Sequence, residues 1–262
     1  MPISPPDISR YHGQALITLV YDDGFKNDFE NALPLHLEFN MQAGFAIIAG
    51  RMLTPKHWDR YMEPWQVTEA AKQGVEICSH SYSHPRLTEV DDATLDTELK
   101  KSQDILNETV GDNGNKVTTF CVPFSNSDDR VIAAAEKYYS TVRIKGRKFT
   151  PLHPKDDRVV YSFGLTKEST FDEVKDIIDK AVAEKAWVTI MLHGVVPKPI
   201  PDQREFDIDT GLLKQILGYI KDFGPDTLLP INLSDIHAVR AKAQSPKPAS
   251  SARESAPAFR LG

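Results

Sequence analysis

The sequence predicts an α/β protein whose parallel strands close, or nearly close, into a barrel of seven or eight β/α units. Three observations lead there. Short apolar runs alternate with helical periodicity almost throughout. That many units in 262 residues are enough to complete a ring of parallel strands. Three of the runs end in carboxylates or imidazoles, as they would if parallel strands delivered their C-terminal ends to one shared face. An open doubly wound sheet is the alternative. No Gly-rich phosphate loop follows any strand-like run, which removes the usual nucleotide-binding reason for such a sheet.

The first strand-like run, 15–23, begins Ala15-Leu16-Ile17-Thr18-Leu19-Val20-Tyr21 and ends in Asp22-Asp23-Gly24. A helical pattern at 27–40 follows, with Pro34 an awkward interior residue that kinks or splits it. Runs 43–49 and 75–81 bracket a helix at 65–73, ended by Gly74 at a natural cap position. The second of these runs leads into His80-Ser81-Tyr82-Ser83-His84. The strongest helix, 92–110, puts Leu95, Leu99, Ile105 and Leu106 on one face before Gly111. A helix at 129–139 separates runs 118–124 and 140–145. Run 159–165 precedes a helix at 170–186, where Thr170 and Glu173 have capping-box spacing. Run 187–193 ends in His193-Gly194. A helix at 209–223, stopped by Gly224-Pro225, leads to the last run, 228–233. From Ala243 onward Ser, Pro, Ala, Lys and Arg dominate, so 243–262 is read as a disordered tail and 1–242 as one folded domain.

Bulk properties narrow the function. The formal net charge of -6 gives no reason to expect nucleic acid as a partner. No apolar run approaches the length of a membrane span. The start, Met1-Pro2-Ile3-Ser4, lacks the basic and apolar regions of a secretory leader, so the expectation is a cytoplasmic protein or one exported with its leader removed. Two cysteines, Cys78 and Cys121, make no disulfide framework and are read as buried thiols in strands, with a single bridge as the alternative.

The chemistry lies at the strand ends. Asp23-Gly24 alone is a turn signal. Yet two adjacent carboxylates, Asp22 and Asp23, repel each other at a strand end unless a cation sits nearby, and a metal on one leaves the other as a base. His80 and His84 are four apart in a segment poor in helix formers and followed by Pro85, so they lie on a loop, where both nitrogens can still wrap one ion. The bland alternative is two surface histidines flanking serines. His193, alone after an apolar run, is by itself more often a hydrogen-bonded core or surface residue than a catalyst. His12, His36, His57, His153 and His237 have no comparable setting and are read as structural or exposed.

Together these motifs resemble the polysaccharide deacetylase family, the NodB-homology carbohydrate esterases. Residues 18–24 look like the family's first block, whose first Asp is the base and whose second is a metal ligand. His80-Ser81-Tyr82-Ser83-His84 is similar to its His-Ser/Thr-x-x-His metal block. Phe120-Cys121-Val122-Pro123-Phe124-Ser125 resembles a third block, often Arg-x-Pro-Tyr-Gly, where the backbone after the Pro helps bind the oxyanion. Leu192-His193 resembles the last, whose His is a general acid. Two departures stand out. Cys121 sits where many members carry the Arg that pairs with the base, and Ser125 replaces the usual Gly. Arg143, in the next strand-like run, is the candidate for the missing positive charge. The block with an Asp and a Trp lining the family's site has no secure counterpart.

The resemblance implies a distorted (β/α) barrel of about seven parallel strands, with a catalytic domain over 1–242. It implies a metal-dependent hydrolase that removes acetyl groups, foremost N-acetyl groups of an amino-sugar polysaccharide, and so an acetylated carbohydrate as partner. Asp23, His80 and His84 would hold a divalent ion, Zn²⁺ first and Co²⁺, Mn²⁺ or Ni²⁺ as alternatives. Asp22 would take a proton from the attacking water, His193 would protonate the leaving group, and Pro123-Phe124 would help bind the oxyanion. Trp58, Trp65 and Tyr82 are candidate sugar-stacking surfaces. Rival readings are the same machinery acting on O-acetyl esters or small cyclic amides, and a non-catalytic sugar-binding relative.

Overall fold

The computed structural model describes residues 1–113, 116–152, 158–197 and 204–244. Seven parallel strands close into a barrel: β1 (Ala15–Tyr21), β2 (Gly44–Ile47), β3 (Glu76–Ser79), β4 (Thr119–Cys121), β5 (Thr141–Lys145), β6 (Val159–Gly164) and β7 (Trp187–Leu192). Closure is made by β1, which pairs with β7 along its length, from Leu16 opposite Trp187 to Tyr21 opposite Leu192. Its other edge is shared. A short pair, β8 (Val195–Val196) and β9 (Ile208–Asp209), stands apart, and β10 (Leu228–Pro230) takes the lower half of that edge, with Ala15 opposite Leu228. Strand β2 takes only the top, at Val20 and Tyr21. The wedge of β10 between β1 and β2 is the distortion of the barrel.

Every residue of β1 is buried, as parallel strands covered on both faces must be. Its alternation sorts side chains into two layers. Ile17, Leu19 and Tyr21 join the layer between strands and helices, with Leu95, Leu99 and Leu106 of the helix at Asp92–Val110. Leu16 and Val20 point the other way, into a barrel interior shared with Cys78, Cys121, Trp187 and Met191. Both cysteines are free and buried.

The expected helices form, with instructive differences. Helix α1 (Leu33–Phe39) is preceded by a π-type turn at Asp28–Ala32, so the pattern at 27–40 is split. Pro34 stands in the first turn of α1, where its missing N–H would have had no intrahelical acceptor. Helix α2 (Ala49–Met52) was not legible. Helix α3 (Pro64–Lys72) ends before Gly74, whose φ of +91° and close approach to the Ile3 carbonyl exclude a side chain. Helix α4 (Asp92–Val110) starts on Asp91, which accepts from the Thr94 amide at 2.7 Å, and buries Leu95, Leu99, Leu106 and Val110. Helix α5 covers Asp129–Ala135. Helix α6 (Phe171–Glu184) has the Thr170–Glu173 capping box, and α7 (Thr210–Phe223) is capped by Asp209. Helix α8 (Ile236–Gln244) closes the barrel floor with Ile236 and Val239, beyond any helix read from the sequence. Residues 245–262, most of the expected tail, lie outside the described residues. No helix among the described residues is long and apolar enough to cross a membrane.

One histidine read as structural or exposed is wholly buried. His36 bonds through Nε2 to the Tyr21 hydroxyl at 2.8 Å and through Nδ1 to the Met41 carbonyl at 3.0 Å. Burial lowers its imidazole from an ordinary 6.5 to about 4. Below pH 6.5 the unfolded chain takes up a proton that folded His36 refuses. Its contribution is therefore intact above pH 6.5 and lost as pH falls towards 4, on the order of 3 kcal/mol over that window. His36→Gln should flatten the fall of unfolding free energy between pH 6.5 and 4, whatever its effect at neutral pH. An unchanged slope in denaturant titrations would assign the acid sensitivity to other groups.

Candidate active site

The site is assembled at the C-terminal ends of β1, β3, β4, β5 and β7. The alternation that sends Leu16 and Val20 inward continues to Asp22, which is buried, with its amide bonded to the Leu192 carbonyl at 2.9 Å. Inside, Nη2 of Arg143 donates to Asp22 Oδ1. Arg143 is fully buried, and its Nη1 approaches Met191 Sδ at 3.0 Å. Burial disfavours its charge, but the adjacent Asp22 outweighs that and holds the guanidinium above its ordinary range. In register, Arg143 lies directly beside Cys121. The cation therefore approaches Asp22 from the strand next to the position where the resemblance would put it.

Asp23 leaves the strand pattern with φ +77°, and Gly24 follows at φ +70°. That φ, with the Ile47 Cα 3.3 Å from where a Cβ would lie, is why this turn favours glycine. The turn aims Asp23 Oδ1 at two imidazole nitrogens, 3.5 Å from His80 Nε2 and 3.2 Å from His84 Nε2. His80 follows β3 directly, and its Nδ1 lies 2.7 Å from the Cys121 carbonyl. That carbonyl only accepts, so Nδ1 carries a proton and Nε2 is the nitrogen turned toward Asp23 and His84. As expected, 80–84 is a loop. Ser81 and His84 have φ +64° and +66°, and Glu98 of α4 anchors the loop by accepting from the Ser83 amide and hydroxyl at 2.7 and 2.6 Å.

The donor atoms of Asp23, His80 and His84 lie within 4.8 Å of one another. The two Nε2 atoms are 3.2 Å apart. One carboxylate and two imidazoles, one of them with its tautomer fixed from behind, fit a divalent ion with N/O ligands. The local electrostatics reflect the crowding. Burial raises Asp23, but His80 and His84 together hold it well below the carboxylate range. Burial lowers His80, yet Asp22 and Asp23 leave it net raised, while at His84 burial prevails and the result is lowered.

His193 completes the face. Its Nδ1 is buried and has no hydrogen-bond partner among the described residues. Burial lowers it, against the opposing pull of Asp22 and Asp23. Pro123 is buried, whereas Phe124 and Ser125 both adopt φ +55°. This left-handed backbone is the reason a glycine would suit position 125. The Phe124 side chain is exposed and its ring lies 4.4 Å from that of His84. The expected stacking surfaces fare differently. Trp58 donates Nε1 to the Met52 carbonyl, Tyr82 is covered by Lys101, and Trp65 is exposed with its edge on Phe29. Sequence reasoning missed Glu98, the Phe124 ring, and a group around Gly194 comprising Arg204, Phe206 and Asp207. A Cβ on Gly194 would collide with Arg204 and Asp207 at 2.1 and 2.6 Å. None of these carries a local motif, because each acts through a contact distant in sequence.

The buried pair sets a stability expectation. Arg143→Met strands Asp22 as an unpaired buried charge and should cost about 3–5 kcal/mol. Adding Asp22→Asn removes that charge and should recover much of the loss. Chemical denaturation of both variants checks this; a double variant as unstable as the single would mean that packing around Arg143, rather than the pair, is what was lost.

Comparisons with known proteins agree with this architecture. A family model described as "Polysaccharide deacetylase" matches residues 10–142, about half of the chain, including Asp22, Asp23, His80, His84 and Pro123. "Chitin deacetylase 2" of Cryptococcus neoformans var. grubii is 30% identical over 166 residues, covering 62% of this chain; the match spans 32% of that longer protein. Among solved structures, the Xyl-CE4 domain of a multidomain xylanase from the hindgut metagenome of Trinervitermes trinervoides superposes with a TM-score of 0.57 at 16% identity, over 89% of this chain and 93% of that one. Peptidoglycan deacetylase PdaC from Bacillus subtilis gives 0.53 at 16% identity, over 89% and 95%. These two likenesses establish the fold, and the family model matched over residues 10–142 establishes the family: this chain belongs to the polysaccharide deacetylase family.

Proposed function

We propose that this protein is a metal-dependent hydrolase that removes acetyl groups, foremost N-acetyl groups from an amino-sugar polysaccharide. The observation that carries the reading is the convergence of Asp23, His80 and His84 beside a buried Asp22–Arg143 pair, with His193 on the same face. Family membership and the similarity to a chitin deacetylase support it.

Asp23, His80 and His84 would hold the divalent ion, Zn²⁺ suiting the N/O donor set. When bound, the ion supplies Lewis acidity, making a nucleophile of water near neutral pH and polarising an acyl oxygen. Asp22 is the base. Arg143 fixes one of its oxygens, which leaves the other to take a proton from the attacking water. The Phe124 amide, presented by the left-handed turn, is the proposed donor to the oxyanion, on the order of 3 kcal/mol in comparable sites. His193 delivers a proton to the departing nitrogen. Burial weakens its hold on that proton, so its imidazolium is a readier donor than an exposed one.

The ligand assignment separates the two aspartates. Asp22→Asn should keep the ion and lose turnover, because an amide cannot accept the water's proton. Asp23→Asn, His80→Ala and His84→Ala should each lose most of the ion and nearly all activity. Elemental analysis, with acetate release measured on chitin oligomers and acetylated xylan and C–N cleavage measured on a ureide, tests this. A full equivalent of metal in His80→Ala would break the ligand set, and turnover of the xylan or the ureide alone would move the substrate to esters or cyclic amides.

The role of His193 has its own check. An amine leaves far less readily than an alkoxide and needs its proton earlier. His193→Ala should therefore slow amide hydrolysis at least tenfold more than ester hydrolysis on matched N-acetyl and O-acetyl substrates. Equal losses on the two would contradict a leaving-group role.

A further inference from the structure

Few large apolar side chains are exposed among the described residues, and two of them, Phe124 and Phe206, lie against imidazoles of the site. Their situations differ. The Phe124 ring is held between His84 at 4.4 Å and the Arg86 guanidinium at 4.8 Å. Phe206 has His193 at 5.1 Å, with the planes 32° apart, and no second ring or cation rests on it among the described residues.

Phe206 is also braced. Arg204 makes a two-point ion pair with Asp207, at 2.9 Å through Nε and 2.6 Å through Nη2, and lays its guanidinium 3.5 Å over the Phe25 ring. The Glu205 carbonyl accepts from the Lys167 amide at 2.8 Å, and the Ile208 amide donates to the Gly194 carbonyl at 3.0 Å. A turn tied to the barrel on both sides of Phe206 thus presents an aromatic ring, 39% exposed, beside the imidazole. The fold gains little by leaving a large apolar ring in water. A rigid ring displayed at a reacting centre is what recognition needs, since ordering it on binding costs little.

We propose that Phe206 is a stacking platform for the apolar face of a pyranose ring, on the leaving-group side of the acyl site. The inference rests on the deacetylase reading, because His193 as leaving-group donor is what puts Phe206 on the sugar side rather than the acetyl side. It narrows the substrate class to an oligo- or polysaccharide of pyranose units rather than a small cyclic amide. The C–H face of such a ring meets the negative face of the phenyl ring. A small cyclic amide has no comparable face.

The test uses the full chain loaded with Zn²⁺ and chitopentaose as probe. Phe206→Ala should raise the Kd from calorimetry, and the KM for acetate release, by about tenfold, with kcat and the hydrolysis of p-nitrophenyl acetate within about twofold of the parent. Phe206→Tyr should restore both constants, and Phe206→Leu, which keeps apolar cover on His193, should not. Unchanged Kd and KM in Phe206→Ala overturn the platform. So does an equal loss of rate on both substrates at unchanged Kd, which would make Phe206 a support for His193. Acetate release from small amides by a protein that does not bind chitopentaose also overturns it. Phe206-dependent binding without acetate release would keep the platform and overturn the deacetylase reading instead.

Discussion

Strand β1 is hydrogen-bonded on both edges, to β7 along its length and to β10 and β2 in succession, and that double constraint determines where its C-terminal end can go. A strand held this way cannot slip by one residue without moving its whole apolar set to the wrong layer. Its register therefore sends Asp22 into the barrel and leaves Asp23 at the rim. Two chemically identical neighbours are given different surroundings by the pleat and by one left-handed turn. The division of labour proposed for them, base and ligand, rests on that geometry.

The inward carboxylate would be costly without a partner. Arg143 reaches it from β5, across an interior otherwise filled by Val20, Cys78, Cys121, Val160 and Met191. The small thiol of Cys121 leaves room for a guanidinium from the strand beside it, the strand that chain order had nominated and that the register brings alongside. A buried pair of this kind adds little net stability compared with apolar packing, but removing one member is severe. Its effect is to fix the orientation of one buried carboxylate oxygen.

Backbone strain is concentrated on the same face. Asp23, Ser81, His84, Phe124 and Ser125 account for five of the eight non-glycine residues with positive φ among the described residues. Such conformations cost on the order of 1 kcal/mol each and persist only where surrounding contacts enforce them. Here those contacts are visible: the Cys121 carbonyl on His80, Glu98 on Ser83, and the β1–β2 turn packed on Ile47. The rigid barrel supplies the support, and the loops supply the aim.

The sequence by itself determined the alternating architecture, eight strand positions, the long helices with their caps, and the set of polar residues at strand ends. These are local properties: periodicity, capping chemistry and the residues that end an apolar run all act within a few positions. Tertiary structure alone decided the rest. It added the short helices α2 and α8 and the β8–β9 pair, elements stabilised by packing rather than propensity. It buried His36 against Tyr21, brought Arg143 to Asp22, and set Phe206 against His193, pairs that lie 15, 121 and 13 positions apart. No local pattern encodes such pairs, because their contact exists only once the strands have closed into a ring and the register has chosen which side chains face inward.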